Sequence, residues 1–480
     1  MRITTETFDE NARGALLNRP LQAALRHATH KFVDNRRYAI TELDDWEDRR
    51  QRSNAIKRET IEHLDRYLEE FTTNVEKAGG VVHWAIDSAE ACRIVVDLIQ
   101  SKGEKLVVKS KSMATEEINL NHALEAAGIT PVETDLGEWI IQLAHETPSH
   151  IIAPAIHKSR ADVARLFTDV LGIEYTDDIP KLTAVARERL RERFATAGVG
   201  VSGVNFGVAE TGTICIVENE GNARMSTSLP RIHIAVMGIE KVIPKFTDLA
   251  LFLSLLPRSA TGQKLSSYTS FLTGTKRTAE AEGPDEYHLV MLDNGRTKIL
   301  ADPIQRSSLF CIRCGACLNA CPVYQRVGGH AYGWVYSGPI GALLTPQFIG
   351  MDRGKQLPYA SSLCGACKDV CPVKINIPEL LLDLRSKIGG ESGSLNGKRP
   401  RLAEQLSKKA FAFIMARPGA YNLAAKLGRI LQLTIAKNGK IADVPIAPLS
   451  NWTKNRDFPT LAPQSFRERW KREQENSGKE

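Results

Sequence analysis

Seven of the nine cysteines lie between positions 311 and 371, spaced for metal rather than for disulfides. Cys311, Cys314, Cys317 and Cys321, followed by Pro322, form C-x2-C-x2-C-x3-C-P, the run with which bacterial ferredoxins hold cubane iron-sulfur clusters. Three thiolates at this spacing wrap one face of a cubane while amides of the same loop point at its sulfides; the fourth reaches a second cluster. Gly315 allows close backbone approach, and Pro322 redirects the chain. A second run, Cys364, Cys367, Cys371 and Pro372, repeats the register with serine at position 361, so one ligand is missing. The crossover rule predicts a complete [4Fe-4S] cluster on Cys311, Cys314, Cys317 and Cys371. Cys321, Cys364 and Cys367 then hold a second cluster by three thiolates, as [4Fe-4S] or, without its fourth iron, as [3Fe-4S]. Its fourth ligand stays open among Ser361, His330, another side chain, water and a group from a partner. Zinc is the competing reading, but closed zinc sites take four ligands and do not call for seven cysteines with two Cys-Pro ends.

Other residues offer weaker chemistry. Glu210-Thr-Gly-Thr213 and Glu218-Asn-Glu220-Gly-Asn222 set carboxylates beside Gly-rich turns, where a base or nucleophile next to an anion site would work. The plainer reading is turns with solvated carboxylates. Lys109, Lys111, Ser112, Met113, Thr115 and Glu116 follow a strand, with Thr115 as an N-cap candidate, and form a second anion-site candidate. The spacer between the cysteine runs is Gly-rich but lacks GK[ST], so turns and aromatic packing are expected, with Tyr332, Trp334 and Tyr336 shielding the clusters. No G-x-G-x-x-G follows a strand, so nothing in the sequence points to bound flavin or NAD. Cys92 and Cys215 stand alone in apolar surroundings.

The elements that must position these groups are legible as alternating text. Residues 18–37 and 54–79 are amphipathic at helix spacing. Strands are expected at 81–86, 105–110, 131–136, 140–143 and 150–155, with helices at 89–103 and 115–128 and long helices up to Phe194. That alternation predicts an α/β fold with a mostly parallel sheet covered on both faces. Residues 198–245 read as strands joined by tight turns, 247–256 as a helix and 287–295 as a strand, closing the α/β part near residue 300. Beyond Ile377 the text is helical and ends in a Pro-punctuated tail, 445–463; the only internal repeat is the pair of cysteine runs. The expected division is a helical segment over 1–75, an α/β domain over 76–300, a helical cluster module over 301–390 and a basic helical segment over 391–480.

At 480 residues, 42% hydrophobic and 25% charged, the chain is too apolar for disorder and lacks the bias of collagen or a coiled coil. Its start is acidic and polar where a signal peptide needs basic and apolar regions, and no apolar run spans a bilayer, so the cytoplasm is expected. The net charge of +7 is local: Lys398–Lys440 holds ten basic residues against Glu404, a surplus of nine that leaves the rest at −2. Arg401, Lys408, Lys409, Arg417, Lys426 and Arg429, with Leu402, Leu406, Phe413 and Ile414 between them, suit docking to an acidic partner subunit or an anionic membrane surface. No reading motif favours nucleic acid.

The cysteine pair, the spacer GGHAYGWVYSGPIGALLTP, the block AETGTICIVENEGNARMSTSLPRIHIAVMGIEKVIP and the ending SNWTKNRDFPTLAPQSFRERW together resemble the lactate utilisation protein B (LutB) family of iron-sulfur proteins, over nearly the whole chain. The resemblance implies a LUD domain up to about residue 300, similar in fold to the NagB/RpiA/CoA-transferase group, then an α-helical ferredoxin module and a family-specific C-terminal segment. It also implies electron transport in the oxidation of L-lactate to pyruvate beside two companion proteins, with the seven cysteines as cluster ligands and position 361 vacant as is usual in the family. The sequence itself supports a conductor of electrons, since lactate gives up two electrons and each cubane passes one. The alternative function is an enzyme whose active site lies in the α/β domain, with the clusters accessory.

Overall fold

Short apolar runs, buried on both faces in the inner strands, build the central sheet. The strands are β1 (Val81–Ala85), β2 (Leu106–Lys109), β3 (Thr130–Glu133), β4 (Val199–Gly203), β5 (Phe206–Val208), β6 (Thr213–Glu218), β7 (Ile232–Gly238), β8 (Val242–Ile243), β9 (Tyr268–Leu272) and β10 (Glu286–Leu292). Six of them form one sheet in the order β1-β10-β7-β4-β2-β3, with every neighbouring pair parallel. Successive side chains of a strand point to opposite faces. Val107 accordingly joins Val95 and Ile99 of the helix Ser88–Ser101 on one face, while Val108 joins Trp139, Phe167 and Leu190 on the other. The helix Ser88–Ser101 starts where Asp87 accepts the Glu90 amide and Glu90 accepts the Ile86 amide, both at 2.9 Å.

The computed structural model describes residues 3–389, 402–442, 444, 450, 453 and 457–477. They fall into two units, Met1–Asn396 and Gly397–Glu480. In the first, a smaller sheet, β8-β5-β6-β9, packs against the helices Leu64–Lys77 and Asp248–Ala260 through Phe71, Phe206 and Phe252. That core runs on without a break into Leu309, Cys314, Leu318, Leu343 and Leu381 of the cysteine region. The helices Arg19–Thr41 and Trp46–Glu62 are fastened to the same region: Arg36 donates to the Val370 carbonyl at 3.1 Å, Arg50 to Cys371 at 3.0 Å, Ser53 to Pro372 at 2.9 Å and Asn54 to Val373 at 2.8 Å.

The α/β class and the parallel sheet stand as expected, with local corrections. Residues 140–143, expected as a strand, lie in the helix Leu136–Leu143, capped by Asp135, which accepts the Glu138 amide at 3.1 Å; a short apolar run does not distinguish strand from helix by period. Residues 150–155 form turns, because His150 Nδ1 accepts the Ile152 and Ala153 amides at 3.0 and 3.1 Å and takes them from any ladder. The helix expected over 115–128 is two, Met113–Glu117 and Leu120–Ala126, parted at Asn119 with φ 56°. Ser112 rather than Thr115 caps the first of them. Within 198–245 a helix, Asn222–Ser228, interrupts the strands.

The second unit contains the helices Leu402–Ala416, Pro418–Gln432 and Phe466–Ser477, and a three-stranded antiparallel sheet of Ala436–Lys437, Lys440–Ile441 and Phe458–Pro459. Arg417 stacks on Phe413 at 3.9 Å and Arg429 pairs with Glu468 at 3.1 Å, while Leu406, Phe413 and Leu427 are exposed. Residues 398–401, Arg401 among them, and most of 445–456 lie outside the described residues.

Candidate functional site

The two cysteine runs fold alike. Arg313 and Leu363 share the left-handed region at φ 60° and 55°, uncommon for residues with a side chain, and Gly315 and Gly365 follow at 75° and 89°. Each run then enters a short helix, Ala316–Ala320 or Ala366–Asp369. The Arg313 amide donates to Cys311 Sγ at 3.4 Å; its counterpart, the Leu363 amide, donates to Ser361 Oγ at 3.1 Å. Ser361 therefore occupies the place in its loop that Cys311 occupies in the first.

Cys311, Cys314, Cys317 and Cys371 line one cavity together with Gly315, Ile340 and Ile375. Cys321, Cys364 and Cys367 form the other set: burial pushes Cys367 up to about 12, with Cys321 and Cys364 adding to it. Burial likewise lifts Cys371 to about 11, against the Ile375 amide, which donates to its Sγ at 3.3 Å. Of the seven, Cys364 alone is exposed and Cys311 is half-buried.

Cations surround the first set. Arg36 is in the field of Cys314 and Cys371, while Lys57, Lys241 and Arg313 are in that of Cys311. This suits the net negative charge of a thiolate-held cubane. Tyr332 is fully buried beside Cys321, Cys317 and Cys367, and its hydroxyl has no partner among the described residues, a donor in want of an acceptor. Trp334 and Tyr336 pack edge to face 5.5 Å apart, in a small cluster with Ile3, Met113 and Phe348 apart from the core that holds the cysteines, so of the three expected shields Tyr332 alone lies against them. Among the described residues no three His, Cys, Asp or Glu side chains converge as around a single ion; the corners of a cubane hold their ligands further apart. The residues present fit thiolate-held iron-sulfur clusters.

A buried ionic network ties this loop to the α/β sheet. Arg296 grips Glu117 at 2.8 and 2.9 Å and Glu240 at 2.5 Å; Glu240 also holds Arg313 at 3.2 Å, and Tyr336 donates to Glu117 at 2.7 Å. Burial alone would raise Glu240, but Arg296 and Arg313 hold it at about 2. Burial lowers Lys57 to about 7 and Lys241 to about 8, with Glu240 opposing both.

Against this network opens a pocket lined by Ser110, Lys111, Glu240 and Arg296. It sits where ligands of open α/β sheets bind, beyond the carboxyl ends of β2, β4 and β7, and is walled on one side by Arg313 and Tyr336 of the cysteine region. Arg313 lines both this pocket and the cavity of the first cysteine set. At the other end stand Asp135, Glu218 and Glu220. The Glu220 carboxylate accepts the Leu136 amide at 2.9 Å, and burial of that carboxylate with Asp135 beside it raises it to about 7.

The structure sorts the weaker candidates. Lys111, Ser112, Met113, Glu218, Glu220 and Asn222 line the pocket. Lys109 does not; it is buried in ion pairs with Glu133 at 2.6 Å and Glu116 at 3.0 Å, and Thr115 accepts its third bond at 2.9 Å. Glu210 accepts the Phe246 amide at 2.9 Å and Thr213 shares a hydrogen bond with Thr273 at 2.7 Å, so that block is structural. His330 donates from Nε2 to the Thr147 carbonyl at 2.7 Å and lies against His157. Arg313 and Lys241 were missed by sequence reasoning. The signals were there: an arginine between Cys311 and Cys314 where the second run has Leu363, and a lysine closing an apolar strand.

Residues 68–292 match the LUD domain model, 307–375 the 4Fe-4S dicluster domain and 383–475 the C-terminal model of lactate utilisation protein B. Proteins described as lactate utilization protein B are similar along the full length. One from Oceanobacillus iheyensis is 45% identical over 98% of this chain and 97% of its own, and one from Bacillus cereus is 43% identical over 100% and 99%. A third, from Bacillus licheniformis, is 44% identical over 98% and 97%. Among the described residues no helix is long and apolar enough to cross a membrane.

Proposed function

Because this chain belongs to the lactate utilisation protein B family, we propose that it is the electron-transfer subunit of a cytoplasmic system that oxidises L-lactate to pyruvate together with companion subunits. A role in lactate utilisation with an iron-sulfur cofactor is the premise; the finer reading rests on one observation. Four cysteines line one cavity beside a polar pocket of the α/β sheet, and the remaining three include the exposed Cys364.

In this reading Cys311, Cys314, Cys317 and Cys371 hold a [4Fe-4S] cluster, and Cys321, Cys364 and Cys367 hold a second, [4Fe-4S] or [3Fe-4S], with Ser361 at its vacant corner. The clusters, when bound, supply transfer of one electron at a time. Arg313 fixes the first cysteine loop to the α/β sheet through Glu240, and Tyr332 stands between the two cysteine sets. Cys364 marks the side where electrons leave for a partner. The basic helices of the second unit, with Lys408, Lys409 and Lys426 beside exposed Leu406 and Leu427, suit an acidic partner or an anionic membrane surface. Reconstituting the chain anaerobically and counting iron and sulfide with EPR tests the ligand sets. Two unequal cubane signals are expected, whereas stoichiometric zinc without sulfide overturns the reading. The isolated chain should not reduce a dye with lactate until companion subunits are added. Robust turnover by the single chain would favour the second reading, a catalyst in the α/β pocket.

A further inference from the structure

Four polar groups on the wall of the α/β pocket have no side-chain partner among the described residues. Arg313 is 6% exposed; its Nη2 binds Glu240 and its face covers Tyr336 at 4.6 Å, yet Nη1 makes no hydrogen bond. Ser110, 1% exposed, leaves Oγ unpaired. Lys241 and Asn222, the latter 5% exposed, make no side-chain hydrogen bond or ion pair among the described residues. Two of the four, Arg313 Nη1 and Ser110 Oγ, are fully buried, whereas Lys241 is half-buried; buried donors are almost always satisfied, so orphans on one wall mark the place of a ligand. The two cations lie at the end beside Cys311, where each is in its field. Asp135, Glu218 and Glu220 line the same pocket and disfavour a second negative charge on the ligand.

We propose that this pocket binds a short monocarboxylate of the 2-hydroxy or 2-oxo acid class, its carboxylate held by Arg313 Nη1 and Lys241 and its second oxygen by Asn222 and Ser110. The inference rests on the lactate reading for the acid class, but the site is read from the orphaned groups. It puts the organic acid on this chain, one arginine away from the first cysteine set, rather than on a companion.

Equilibrium dialysis of the anaerobically reconstituted full chain against L-lactate, pyruvate and inorganic phosphate tests it, with EPR on the same samples. One equivalent of lactate or pyruvate should bind and shift the spectrum of the cluster held by Cys311, and phosphate should compete poorly. Lys241→Met should weaken binding about 10-fold or more, the usual effect of removing a charged hydrogen-bond donor. Lys241→Arg should restore most of it, and Glu210→Gln, outside the pocket, should leave it unchanged. Lack of saturable binding up to about 10 mM, well above the ~1 μM–1 mM range of ordinary substrate affinities, overturns the site. So does equal binding by wild type and Lys241→Met, or phosphate binding as tightly as lactate. Clusters that accept electrons in a chain that binds no carboxylate refute the pocket and leave the electron-transfer reading standing. Carboxylate binding by a chain without reducible clusters does the reverse.

Discussion

Arg296→Met removes a guanidinium that is 1% exposed and joined to Glu117 at 2.8 and 2.9 Å and to Glu240 at 2.5 Å. Methionine replaces most of the stem, so repacking itself should cost under about 1.5 kcal/mol. The electrostatic part is larger, because breaking a buried pair from one side typically costs 3–5 kcal/mol, roughly. Glu240 keeps Arg313 at 3.2 Å, and Glu117 keeps the Tyr336 hydroxyl and the Asn294 amide, both at 2.7 Å. About one carboxylate is therefore stranded. It escapes by taking a proton, which at pH 7 costs a glutamate of ordinary acidity about 3.7 kcal/mol. The expected loss is about 3–4 kcal/mol, a large share of the ~5–15 kcal/mol by which proteins are stable. The sign with pH follows. A carboxyl raised in the folded variant lowers stability above its unfolded value, so the loss should shrink by about 2 kcal/mol between pH 7 and pH 5.5. Urea unfolding of the anaerobic holoprotein at both pH values, followed by tryptophan fluorescence, reads this directly. A loss under about 1 kcal/mol at pH 7, or one that does not change with pH, would refute the reasoning.

Other expectations follow from single features. Ser361→Cys should slow iron loss and alter the EPR of the second cluster, since a thiol replaces a hydroxyl at the place equivalent to Cys311; unchanged iron lability would show that position 361 faces elsewhere. His150 and His233 are held near 3 by burial, so both take up protons only on unfolding between roughly pH 3 and 6.5. Stability should drop as pH falls through that window, and His233→Gln should make the slope shallower by about 1.4 kcal/mol per pH unit in denaturant titrations. Gly200→Ala puts a methyl 1.7 Å from the Ser226 carbonyl oxygen, pressing β4 away from the helix that begins at Asn222; a melting temperature within 1–2 °C of wild type, roughly, would contradict that contact. Tyr332→Phe should leave the fold intact and change the reduction potential of the clusters, because it deletes an unpaired donor near Cys317, Cys321 and Cys367; an unaltered potential would mean that the hydroxyl faces away from them.

Much of this was legible in the sequence because the information was local. The cysteine register, the vacancy at Ser361 and the strand-helix alternation are written within a few residues of each other, and the left-handed turns at Arg313 and Leu363 repeat as the motifs do. What failed at short range was period: four apolar residues, 140–143, fit a strand as well as the helix they form, and His150 diverts amides that an apolar run would have offered to a ladder. The pocket was legible only in part, for a different reason. Lys111, Ser112, Glu218, Glu220 and Asn222 stood out as weak candidates, but Ser110, Lys241 and Arg313 are each ordinary in their own stretch, and only the sheet order and the shared core bring them all to one wall.

The hydrogen bonds from Arg36, Arg50, Ser53 and Asn54 to residues 370–373 join positions 319 to 334 apart. On a ribosome adding about 5–20 residues per second, the first helices wait on the order of 10–60 s before their counterpart emerges. Through that interval Leu25 and Ile61, fully buried in the finished protein, have nothing to cover them from the cysteine region. Closing so long a loop comes late and slowly, so the helices Arg19–Thr41 and Trp46–Glu62 dock only after residues 370–373 are made.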